Sequence, residues 1–193
     1  MVINWYGESC FKIQSGETVI LTDPIENSSG LTPPRFRTDA TINSVLPNPL
    51  IYPSPEIIGP GEYEIKEIEI SGWPNKSSAV YLIKMEEMRI AFLGQLKDPL
   101  EPSVLEQLSE IDILFFPAGG KPFIEQKEAA QLLKKISPKI AIASLFKIPG
   151  LKRKADDIKD FLKEAEQKAE PQEKLTIKKK DLTIKTQFVI LKT

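Results

Sequence analysis

Short runs of β-branched and aromatic residues open the chain. Residues 2–6, 10–14 and 18–22 are such runs, and glycines at 7 and 16 punctuate them, which predicts three strands. Asp23-Pro24 ends the third, because a residue before proline is pushed out of the helical region and marks a turn. Residues 25–38 carry Ser28-Ser29-Gly30 and Pro33-Pro34 and predict a loop. Across 39–60, prolines at 47, 49, 53, 55 and 60 leave little room for a helix or a central strand, so extended edge structure is expected. Between 62 and 70 the apolar positions alternate, but the phase slips between Ile65 and Ile68, which predicts a bulge or a tight turn.

The second half changes period. Residues 79–85 and 89–93 flank Glu86-Glu87 as a hairpin would. A helix is predicted over 102–108, with Pro102 tolerated in its first turn. Residues 111–116 form, Asp112 apart, an apolar run ended by Pro117 and Gly119-Gly120, the signature of a strand buried on both faces; 139–146 reads the same way. Over 125–136, Ala129, Leu132, Leu133 and Ile136 fall at helical spacing. Over 156–168, Ile158, Phe161, Leu162 and Ala165 share one face of a charged helix. Residues 175–179 and 184–191 read as closing strands. Strands first, then alternating helix and strand, then a terminal strand pair: this order predicts an α/β fold of sheets covered by helices on their outer faces.

Length, charge and chemistry narrow the picture. With 193 residues the chain is expected to form a single domain over 1–193, with enough surface to bury without disulfide staples. A net charge of −1 gives no nucleic-acid footprint. No stretch approaches the roughly 18 apolar residues of a membrane span, and residues 1–7 lack the basic start of a signal peptide, so a cytoplasmic protein is expected. The decisive count is chemical: there is no histidine, and Cys10 is the sole cysteine. Such a chain cannot build a His-ligated zinc site or use an imidazole base.

Against that absence stands a series of landmarks. In order they are Trp5-Tyr6-Gly7-Glu8-Ser9-Cys10-Phe11, Ile20-Leu21-Thr22-Asp23-Pro24, Leu31-Thr32-Pro33-Pro34-Arg35-Phe36 with Asp39, Gly59-Pro60-Gly61-Glu62-Tyr63-Glu64-Ile65, Phe92-Leu93-Gly94-Gln95-Leu96, the stretch from Ile111-Asp112-Ile113-Leu114 to Pro117-Ala118-Gly119-Gly120, and Pro138-Lys139-Ile140-Ala141-Ile142. Together they resemble the metallo-β-lactamase superfamily, in the small branch similar to L-ascorbate-6-phosphate lactonase. The resemblance covers nearly the whole chain. It implies an αββα sandwich, two mixed sheets flanked by helices.

It also implies a metal site, and each ligand of that site is missing here. The family's His-x-His-x-Asp-His signature should follow the strand near 40–44, where Asn43-Ser44-Val45-Leu46 runs into the proline-rich stretch. Trp73-Pro74-Asn75-Lys76 occupies the region of a further histidine. The bridging-aspartate position reads Gln95 and the final histidine position Leu145. Gln95 would remove a charge that costs several kcal/mol when buried unpaired, and Leu145 could fill the vacated volume. The chemical loss is large, because zinc lowers the pKa of bound water from about 15.7 to about 7, of order 12 kcal/mol.

The expectation is therefore a catalytically inactive, metal-free relative that acts as a binding or assembly module, with no cofactor. Gln95, Leu145, Asn43 and Ser44 mark the former site, and Glu8, Gly119 and Gly120 a residual ligand pocket. The partners expected are an active paralogue, a second copy, or a small anionic ligand, with no nucleic acid and no membrane. The alternative is a hydrolase of esters, lactones or phosphodiesters with a non-standard site. Its candidates are Glu8 as a general base, a cation among Glu8, Asp23, Asp39 and Asp98, Cys10 as nucleophile if a base activates it, or Ser9 or Ser144 as nucleophile with Lys147 or Lys121 as base. Against these stand simpler readings. Asp23 caps amides beside Pro24, Asp39 and Asp112 bind local backbone amides, Cys10 is a core residue, and 178–180 is a solvated turn.

Overall fold

Alternation of inward apolar and outward polar side chains turns the start of the chain into an antiparallel meander: β1 (Val2–Trp5), β2 (Phe11–Ser15) and β3 (Thr18–Thr22). The computed structural model describes residues 1–46 and 57–193. β4 (Ala40–Ile42) lies parallel to β3, and β5 (Ile57–Ile58) parallel to β4. The expected proline-rich edge segment at 47–56 lies outside the described residues. On the other side of β1, β13 (Leu175–Thr176) completes a six-stranded sheet.

The second sheet has eight strands. β6 (Gly61–Ile65), β7 (Ile68–Asn75), β8 (Ser78–Met85) and β9 (Met88–Phe92) form an antiparallel half. The phase slip seen in the sequence is a tight turn: Lys66 and Glu67 both have positive φ, 48° and 67°, as a two-residue hairpin requires. Glu86 and Glu87 repeat that geometry in the next hairpin. β7 runs further than its pattern suggested, through Pro74. Past Gly72 its pairing among the described residues is with β8 alone, so the missing N–H of Pro74 costs no ladder bond to β6.

The other half is parallel. β10 (Ile113–Pro117) pairs with β9 and with β11 (Ile140–Ser144); β14 (Gln187–Leu191) pairs with β11, and β12 (Pro171–Gln172) forms the edge. Both continuous apolar runs are buried throughout, as strands covered on two faces must be. Parallel neighbours need crossovers, which α1 (Pro102–Gln107), α2 (Gln126–Ile136) and α3 (Ile158–Glu164) provide. α2 starts in a capping box between Glu125 and Glu128 and buries Ala129, Ala130, Leu133 and Ile136.

The expected αββα sandwich is found: two mixed sheets face each other, with helices outside. Phe11 of one sheet meets Phe115 of the other at 4.5 Å between ring centroids, and Phe116, pointing the opposite way, meets Phe161 of α3 at 5.1 Å. On the smaller sheet's outer side, Phe36 from the loop before β4 lies against Tyr6 and under the Lys12 ammonium. Other boundaries differ from expectation as well: the strand expected over 175–179 ends at Thr176. α3 is shorter than 156–168, because Asp157 caps it by accepting from the Lys159 N–H at 2.9 Å and Glu166 turns into the left-handed region. The last strand begins at Gln187, leaving Ile184 fully exposed.

A candidate site at the strand ends

Segments far apart in sequence converge where β1, β3, β4, β9 and β11 end: the 7–10 turn, Asp23, Asn43-Ser44, Gly94-Gln95 and Leu145. Their centre is Asp23, which is buried. Its Oδ1 accepts from the Ser44 N–H at 2.6 Å. Its Oδ2 accepts from both the Ser9 and the Ser44 hydroxyls, each at 2.6 Å. Ser44 Oγ in turn accepts from the Gln95 N–H at 2.9 Å. The backbone carbonyl of Asn43 accepts from the Tyr81 hydroxyl at 2.7 Å. Asp23 therefore ties β3 to β4 across 21 positions, where the sequence pattern had suggested a cap beside Pro24. Burial pushes its carboxyl up to about 6, although the Ser44 and Ser9 hydrogen bonds pull the other way.

A second polar unit lines the same cleft. Arg153 grips Glu8 with two hydrogen bonds, Nη2 to Oε2 at 2.7 Å and Nε to Oε1 at 3.2 Å, across 145 positions. Its Nη2 also donates to the Leu145 carbonyl at 2.8 Å, and its guanidinium lies over the Phe123 ring. The Leu145 N–H donates to the Glu8 carbonyl at 3.1 Å. Glu8, Asp23 and Leu145 all hold positive φ, at 49°, 35° and 63°. Left-handed backbone at three non-glycine residues costs roughly 1–3 kcal/mol each and persists where surroundings over-determine it. Here the surroundings are these hydrogen bonds.

Asn43, Gln95, Glu8, Asp23, Phe123 and Arg153 contribute to the walls of a cleft of about 420 Å³. Leu145 and Ser44 sit behind it, fully buried. Gly119 does not reach the cleft. A Cβ there would stand 1.9 Å from the Leu145 carbonyl oxygen, so this glycine allows the β10 and β11 ends to close on one another. Gly120 faces the Asp156 carboxylate and lines a neighbouring groove.

Zinc would need about four N or S donors, or carboxylates in their place. The residues present do not fit it. The chain has no histidine. Both Asp23 oxygens are occupied by O–H and N–H donors, and both Glu8 oxygens by Arg153. Among the described residues, no group of three or more Cys, Asp or Glu side chains could hold a metal ion.

The remaining candidates are dispersed. Asp39 accepts from Lys66 at 2.8 Å and from the Val19 N–H, which together hold its carboxyl below the ordinary range. Asp98 pairs with Lys76 at 3.2 Å. Asp112 is buried, which raises its pKa, but Lys139, Lys179 and the Arg89 N–H outweigh this and hold it low. Lys179 is therefore an anchor, although 178–180 reads as a solvated turn. Cys10 is buried and its thiol is pushed up to about 12, chiefly by burial. Ser144 donates to the Phe116 carbonyl at 2.9 Å, and Lys121 pairs with exposed Glu125. Arg153 escaped notice in the sequence: nothing in Lys152-Arg153-Lys154 marks the middle residue as the one that turns inward.

Comparison with known proteins agrees with this frame. The UPF0173 protein PF0020 of Pyrococcus furiosus is 28% identical, over 74% of this chain and 81% of its own length. The crystal structure of a proposed Zn-dependent hydrolase of the metallo-β-lactamase superfamily from Thermotoga maritima superposes with a TM-score of 0.84 at 26% identity, covering 99% of this chain and 98% of that one. Igni18, a metallo hydrolase from Ignicoccus hospitalis, shares the fold at a TM-score of 0.64 and 14% identity, over 86% of this chain and 90% of that one. The family model described as a beta-lactamase superfamily domain matches residues 2–144, which hold every segment converging on Asp23 except Leu145, and the chain belongs to that metallo-β-lactamase superfamily.

Proposed function

We propose that this chain is a metal-free binding or assembly module built on a hydrolase frame. One observation carries the reading: the carboxylate at the centre of the strand-end site accepts three hydrogen bonds from the protein itself, two from Ser44 and one from Ser9, and Ser44 is held in turn by the Gln95 N–H. A ligand set awaiting a metal would present free lone pairs. Here both Asp23 oxygens already accept from the protein's own donors, and both Glu8 oxygens on the cleft wall accept from Arg153. Even a modest enzymatic rate enhancement, about 10⁶-fold, requires about 8 kcal/mol, and among the described residues the cleft's two buried or half-buried acids are both held by the protein's own donors. The partners this reading favours are a histidine-bearing relative, a second copy of the chain, or a small anionic ligand.

The second reading is a hydrolase of esters, lactones or phosphodiesters. It is favoured by the near-complete overlap with the Thermotoga maritima protein. Assaying the purified chain on generic esters, lactones and phosphodiesters separates the two. The module gives no turnover above buffer, with or without chelator. Turnover that disappears in Glu8→Gln or Asp23→Asn variants with intact folds would establish the hydrolase.

A further inference from the structure

Beside the cleft lies a groove of about 830 Å³ between the first turn of α2 and the 147–156 loop. Its volume is that of a small-molecule site, which typically spans about 300–1,000 Å³. Its walls are rigidly joined. Gln126 Nε2 donates to the Ala118 carbonyl at 2.8 Å and to the Asp157 carbonyl at 3.2 Å. The Asp156 N–H donates to the Gly119 carbonyl, and the Asp156 carbonyl accepts from the Lys147 N–H.

The charge on these walls is one-sided. Lys121, Lys127, Lys147, Arg153 and Lys154 line the groove, against two acids, Glu125 and Asp156. The chain as a whole is balanced, with 26 basic and 27 acidic residues. Glu125 already neutralises Lys121, and Arg153 is committed to Glu8. Lys127, Lys147 and Lys154 have no ion-pair partner among the described residues. Like charges gathered in a concave surface focus the field and raise the local concentration of anions, and lysine binds phosphate as a point charge.

We propose, resting on the binding-module reading, that this groove binds a small soluble molecule bearing phosphate-type charges. Arg153 lines both the groove and the cleft, so an anion here would also touch the residue that holds Glu8 and the Leu145 carbonyl.

The test is a thermal-shift titration of the full chain with inorganic pyrophosphate at constant ionic strength, set by sodium chloride. Three proteins are compared: wild type, a Lys147→Glu/Lys154→Glu double variant, and a Lys134→Glu/Lys135→Glu control at the far end of α2. The wild type and the control show a saturable rise in melting temperature. The groove variant binds roughly tenfold more weakly or worse. No saturable rise in the wild type, or equal responses from all three, overturns the proposal. So does a single-stranded oligonucleotide that displaces pyrophosphate at lower concentration, which would make the groove a nucleic-acid surface. The metal content of the same samples tests the module reading separately. A metal-free chain without a pyrophosphate response loses only the groove; a metal-loaded chain with one loses only the module.

Discussion

Asp23 is an almost wholly buried anion on the cleft wall, and its hydrogen bonds to Ser9 and Ser44 only partly offset the cost of that burial. Raising its pKa from the ordinary 3.8 to about 6 corresponds to about 3 kcal/mol, at about 1.36 kcal/mol per pH unit. The folded state binds this proton more tightly than the unfolded one. Asp23 therefore favours folding fully below pH 3.8, and the advantage is lost as pH rises through about 6. Asp39 and Asp112, whose carboxyls are held low, act in the opposite direction. The raw stability profile is thus a sum, and Asp23→Asn isolates one contribution. Urea unfolding followed by tryptophan fluorescence suits the experiment, because Trp5 is buried against Phe11 and Phe146. Between pH 4 and pH 7 the stability of the variant relative to wild type should move in the variant's favour by about 2 kcal/mol, most of the full effect. A difference that stays constant across that range would refute the argument, since it would mean that Asp23 titrates alike in the folded and unfolded chains.

Other substitutions report on neighbouring parts of the site. Ser44→Ala removes one hydroxyl that serves both Asp23 and the Gln95 N–H; urea melts should show a loss of about 1–3 kcal/mol, exceeding that of Ser9→Ala, which breaks one of these bonds. Gly119→Ala drives a methyl into the Leu145 carbonyl, with no flexible side chain to yield; a loss of about 3 kcal/mol or failure to fold is expected, read by circular dichroism and expression yield. A double-mutant cycle on Glu8→Gln and Arg153→Met should return a coupling of about 1–3 kcal/mol, because the two-bond pair is mostly shielded from solvent. A coupling near zero would make that contact incidental.

Local pattern carried most of the fold. The apolar runs that became β10 and β11, the helical spacing in α2 and the phase slip at Lys66-Glu67 are all short-range signals, and each marks an element. The discrepancies have local causes too. α3 stops early because capping by Asp157 and the turn at Glu166 override an apolar face that continues beyond them. The site was legible only in part. Gln95 and Ser44 were recognisable because they stand at landmark positions, but that Ser44 binds Asp23 depends on two strand ends meeting in space. Glu8 and Arg153 are 145 positions apart, and no periodicity connects them. Gly119 invites reading as an anion cradle in sequence, whereas its physical role is to admit a neighbouring carbonyl.

The central claim is that the polar atoms at the strand-end site satisfy one another and do not hold a metal. The direct measurement is elemental analysis of the chain after expression with added zinc, manganese and iron and extensive dialysis. The account predicts far less than one metal ion per chain, together with an unchanged melting temperature on adding chelator. A full equivalent of any of these metals, released by chelator with a fall in melting temperature, would contradict it.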